Sequence, residues 1–130
     1  MYVVKRKETF TETLRLEAPD GKTEDIIVKL QPNPALLKNF RALQIKMIDL
    51  ETNKNHLAEE TAIEERGKCV VDMFVLLFGQ QATEKILAFY EDNYVEMLTD
   101  IFPFIQEVII PRLNMVAKEI KQDFRSRFKK

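Results

Sequence analysis

The chain has 130 residues, 45 % of them hydrophobic and 32 % charged, yet acids and bases nearly cancel at a formal −1. This length suits one domain with one core, and near-neutrality excludes a global field for nucleic acid, an anionic membrane or an acidic substrate. Cys69 is the only cysteine, which excludes an internal disulfide framework and fits a reducing compartment.

The opening MYVVKRKETF carries no apolar stretch long enough for a signal peptide, and the run from Met73 to Phe78 is far short of a membrane span. A cytoplasmic protein without membrane contact is therefore expected. Residues 8–30 read as a β-hairpin. Phe10, Leu14 and Leu16 alternate with polar neighbours, Pro19-Asp20-Gly21 supplies turn chemistry, and Ile26, Val28 and Leu30 form the returning apolar face. An isolated hairpin is marginal in water. It must either dock on the helices or pair its edges with another subunit.

Asn33-Pro34 is a helix start, with Asn as N-cap and Pro at the first helical position. Leu36, Phe40, Leu43, Met47, Leu50 and Leu57 then form a heptad-like stripe that Leu37 and Ile48 widen. Such a stripe packs either into a helical bundle or along a coiled-coil seam. The polar stretch around Thr52-Asn53-Lys54-Asn55 points to a break near residues 52–58. Helix resumes from Glu60 to Phe78, and Gly79 fits the left-handed position that ends a helix.

Thr83 is a candidate cap for a short helix that buries Ile86, Leu87 and Phe89. Asp92-Asn93 opens the next helix, running to about Ile110, with Pro103 expected to kink or divide it. Pro111 then starts a final amphipathic helix carrying Leu113, Val116, Ile120 and Phe124. The fold class expected is mainly α, as one domain over residues 1–130. A hairpin over 8–30 precedes about four to five helices over 33–128, which is α+β by strict count.

Equipment for catalysis is sparse. His56, the only histidine, sits in a polar stretch, and Cys69 lies beside Val70 and Val71 on an apolar helix, where it reads as a core residue. One histidine and one cysteine make no metal cluster. Glu59, Glu60, Glu64 and Glu65 could ligate a hard cation as a metal-dependent enzyme would require, but read more simply as a solvated helix face. Three scattered glycines build no phosphate loop. No catalytic residue, cofactor or metal is assigned, and the chain is expected not to be an enzyme.

Residues 118–130 hold six Lys or Arg against Glu119 and Asp123, a local +4. Charge of this sign near a helix C-terminus offsets the helix dipole; contact with nucleic acid or an acidic protein surface is the alternative. The aromatics gather in the second half, at Phe74, Phe78, Phe89, Tyr90, Tyr94, Phe102 and Phe104. Around Phe102-Pro103-Phe104 a helix is apolar on nearly every side, so it is either deeply buried or covered by a second chain. Leu77, Phe78, Phe102 and Phe104 are the candidate partner-binding residues.

The run Val70-Val71-Asp72-Met73-Phe74-Val75-Leu76-Leu77-Phe78-Gly79, followed by Gln80-Gln81-Ala82-Thr83-Glu84-Lys85-Ile86, resembles the small tail assembly chaperones of long-tailed (siphovirus-type) phages and prophages of Gram-positive bacteria. The Phe-Gly pair that ends a helix, then Thr83, Glu84, Lys85 and Ile86, carry the resemblance, which is specific over about residues 70–105. Gln80 and Gln81 stand where that family has a second glycine.

The resemblance implies a non-enzymatic scaffold in the host cytoplasm. It would bind the helical tape measure protein, recruit tail tube subunits and form homo-oligomers. The reading kept beside it is a small cytosolic helical adaptor or regulatory protein, touching nucleic acid through the basic tail.

Overall fold

A computed structural model describes residues 1–5, 10–31, 33–52 and 59–128, with the backbone alone at 123, 124 and 126–128. Strands β1 (Phe10–Glu17) and β2 (Thr23–Leu30) form an antiparallel hairpin, with Leu14 opposite Ile26 and Phe10 opposite Leu30. The turn is tied by the Gly21 amide donating to the Ala18 carbonyl at 2.9 Å, and Gly21 has φ 90°, where a side chain would be strained. The predicted alternation holds: Leu16, Ile26, Val28 and Leu30 are buried, while Arg15 and Asp25 pair on the outer face at 2.7 Å.

Whether the hairpin docks on its own chain is settled by β2, which packs on helices α2 (Glu59–Phe78) and α3 (Gln80–Phe89). Burying a side chain such as Ile26 or Leu30 contributes about 1.5–3 kcal/mol. That burial supplies the support a two-stranded ribbon lacks alone.

Helix α1 (Pro34–Thr52) starts as its sequence requires, the Leu36 amide donating to Asn33 Oδ1 at 2.9 Å. It runs antiparallel to α2. The Cys69 thiol donates to the Leu43 carbonyl at 3.6 Å, Lys46 meets Glu65 at 3.9 Å, and Glu51 meets Arg66 at 3.3 Å. One continuous helix through both segments is thereby excluded. The predicted break itself, like Leu57 of the stripe, lies at residues 53–58, outside the described residues.

Gly79 does not take the left-handed helical position. Its φ of 90° is positive, but its ψ of 165° is extended, so one residue turns the chain from α2 directly into α3. Helix α3 consequently begins at Gln80, and Thr83 is no cap. It lies in the first turn, 1 % exposed, with its hydroxyl donating to the Gly79 carbonyl at 2.7 Å. The N-cap position falls on Gly79, which has no side chain to supply a capping bond.

Helix α4 (Tyr94–Phe104) opens on Asn93, whose side chain accepts from the Glu96 amide at 3.2 Å and donates to the Glu96 carboxylate at 3.2 Å. The Asn93 side chain thus caps the helix, while its own backbone amide donates to the Tyr90 carbonyl at 3.0 Å. Pro103 does not divide the helix. The chain stays helical through a π-helical turn at Ile105–Ile109 into α5 (Ile110–Phe128), so Pro111 continues a helix and does not begin one. The Ile110 amide donates to the Ile105 carbonyl, five residues back. This wider turn immediately precedes Pro111, where an α-helical turn would press the proline ring against a carbonyl.

The core draws on both strands, α1, α2, α3 and the long last helix, with Phe74, Leu77, Ile86, Met97, Ile101, Ile105 and Ile109 at its centre.

Candidate docking surfaces

Among the described residues no three His, Cys, Asp or Glu side chains gather as a metal-holding group. Glu65 instead faces Lys46 and Lys68. Cys69 is fully buried between α1 and α2, and burial pushes its thiol above the usual range, away from the thiolate that would act as a nucleophile. His56 lies outside the described residues. Among the described residues no helix is long and apolar enough to cross a membrane. What the surface does offer is apolar helix faces.

The first is α1. Among the described residues of its stripe Phe40 is buried, and Leu36, Leu43, Met47 and Leu50 are half-buried. Ile45 and Ile48 point outward at 55 % and 60 % exposed. Helix α1 rests on α2 and touches α5, which leaves its far flank to solvent.

The second surface is the aromatic region, and its four candidate residues separate. Leu77 and Phe78 are buried, 1 % and 8 % exposed, and serve the chain's own core. Phe78 meets Phe74 edge-on at 5.3 Å and stacks on Phe104 at 6.3 Å, so Phe104 is half-buried. Phe102 alone of the four faces solvent, at 41 % exposed. It shares a helical stripe with Val95, 64 % exposed, and half-buried Leu98. The steps of three and four put these three on one flank of α4.

A third surface was not legible as such in the sequence. An open groove of about 540 Å³ lies between α2 and the α3–α4 joint. Its floor is Ile63, Gly67, Val71, Leu87 and the Tyr94 ring; Glu64, Asp72 and Asp92 stand on its rim with Lys68. Gly67 makes the floor possible, since a Cβ there would lie 3.1 Å from the Tyr94 ring. The Tyr94 hydroxyl, reaching across, donates to the Ile63 carbonyl at 3.0 Å. A lone glycine inside an otherwise strong helix was the available signal.

The fourth is the end of α5. Arg112 lies over the Phe10 ring at 4.8 Å, a cation–π contact, and Leu113 is the last buried side chain among the described residues. Beyond it every described side chain is exposed apart from half-buried Val116, with Met115 at 47 % and Ile120 at 37 %. Helix α4 runs parallel to α2, from Tyr94 beside Ile63 to Phe104 beside Phe78. The last helix therefore leaves the bundle at the end opposite the groove, as a basic arm.

No protein-family model, curated protein or solved structure shows detectable similarity to the chain.

Proposed function

We propose that the chain is a non-catalytic scaffold that binds helical protein partners, and that it serves as a phage tail assembly chaperone. On this reading its client is the tape measure protein, to which it brings tail tube subunits, and it self-associates while doing so. The observation that carries the binding role is the Val95, Leu98, Phe102 stripe, apolar and open on a helix that the core holds through Met97 and Ile101. Anchors spaced i, i+3 and i+7 are the pattern by which one helix recognises another. The open flank of α1, with Ile45 and Ile48, offers a second such face.

The motif that carries the family resemblance is also structurally coherent. Phe78 and Ile86 are buried, Gly79 has the positive φ, and the Thr83 hydroxyl closes the joint. The exposed part of the motif, Gln80, Gln81 and Lys85, lines a cleft of about 430 Å³ against Asp25 and Ile27 of the hairpin.

Co-expression with the tape measure protein of the same phage tests the assignment. The two proteins should co-purify, and the client should remain soluble where it precipitates alone. A client that behaves identically with and without this chain would overturn the proposal.

A further inference from the structure

The charged side chains of α1 divide by face. Lys46 and Glu51 flank its buried side and meet Glu65 and Arg66 of α2. Lys38, Arg41 and Asp49 are exposed and form no ion pair among the described residues.

Arg41, Ile45 and Asp49 follow one another in steps of four, so they form one row along the helix. At about 3.6 residues per turn, Lys38 and Ile48 stand beside that row, while Phe40, Leu43 and Met47 lie on the opposite, core-facing side. The row therefore has two isoleucines at its middle, both more than half exposed, and unanswered charge at each end.

The order of those charges selects a partner. Both cations lie in the first half of α1 and Asp49 lies in its last turn, the reverse of what the helix dipole favours. An antiparallel neighbour with the same row meets opposite charge at both ends. With Ile45 of the two copies face to face, Arg41 stands opposite the second copy's Asp49, Asp49 opposite its Arg41, and Ile48 opposite its Ala42. A parallel neighbour would set like charges against each other.

We propose that the outer face of α1 docks antiparallel on the same face of a second copy, as a two-fold dimer. Ile45 and Ile48 supply the apolar contact, and the Arg41–Asp49 pairs fix orientation and register. Exposed ion pairs add little affinity but discriminate between arrangements. A single pair of helices makes a small interface, so the dimer is weak. This rests on the self-association in the proposed function and gives it a location; it leaves the α4 stripe to the client.

Sedimentation velocity on the purified full chain, over a range of concentrations, tests it. Wild type should pass from monomer to dimer. Ile45→Asp, Arg41→Glu and Asp49→Lys each alter an exposed side chain, and the two charge reversals agree with the helix dipole. All three variants should keep wild-type helix content and weaken the dimer roughly tenfold or more. Mixed together, Arg41→Glu and Asp49→Lys should pair with each other, because each end of the heterodimer then joins an acid to a base. A strictly monomeric wild type overturns self-association itself. Dimers that survive Ile45→Asp, or a mixture that stays monomeric, overturn the α1 contact and leave client binding to its own test. A monomeric wild type whose co-purification with the tape measure protein is lost in Ile45→Asp would assign this face to the client instead.

Discussion

Tyr90 shows how a side chain at the edge of the core ties stability to pH. Burial first, then the nearby Asp100 and Glu96 carboxylates, push its hydroxyl from the ordinary 10.0 up to about 12. The folded chain keeps that proton at pH values where the unfolded chain has lost it, so stability falls as pH rises. The contribution is whole below pH 10 and is lost as pH climbs through about 12. Denaturant titrations across this range should show the midpoint falling, and Tyr90→Phe should flatten that fall. An unchanged slope in the variant would assign the loss to other groups, such as the buried Cys69 thiol, which is raised in the same direction.

Elements show where local chemistry decides structure and where it is overruled. Asn33 was legible as a cap, and Asp92-Asn93 as a helix start, because the bond each asparagine makes lies within three residues of it. The hairpin was legible because alternation and a Pro-Asp-Gly turn are also local. Thr83 and Pro111 depart from expectation for one reason: each is a good starting residue, but the helix around it is already under way. For Thr83 the decisive residue was Gly79; for Pro111 it was the π turn at Ile105–Ile109.

Pro103 gives the corresponding prediction. It sits exposed inside α4, where its ring removes a backbone donor without contributing a buried side chain. Pro103→Ala should raise stability, by up to about 3 kcal/mol if nothing in the helix has relaxed around the ring. A chemical-denaturation midpoint that moves down would show that the proline's constraint on the chain matters more than its missing bond.

For the molecule as a whole, the sequence conveyed composition, class and apolar stripes, but not which stripe each neighbour would cover. Leu77, Phe78, Phe102 and Phe104 are alike apolar in sequence. Packing sends the first two into the core, half-buries Phe104 on Phe78, and leaves Phe102 outside. The groove joins Gly67 to Tyr94 across two helices, a pairing no local pattern announces. The arm becomes visible only once Leu113 is seen to be the last buried side chain of its helix among the described residues.

The architecture that results is a core supporting uncovered helix faces, and Phe102 is the residue on which the binding role can be tested apart from folding. Calorimetric titration of a helical tape measure segment into wild type and Phe102→Asp measures this directly. Wild type should bind with a negative heat-capacity change, the mark of apolar burial. The variant should lose binding by at least about tenfold while its thermal midpoint stays near that of wild type. Equal affinity for the two proteins would contradict a docking role for the α4 stripe.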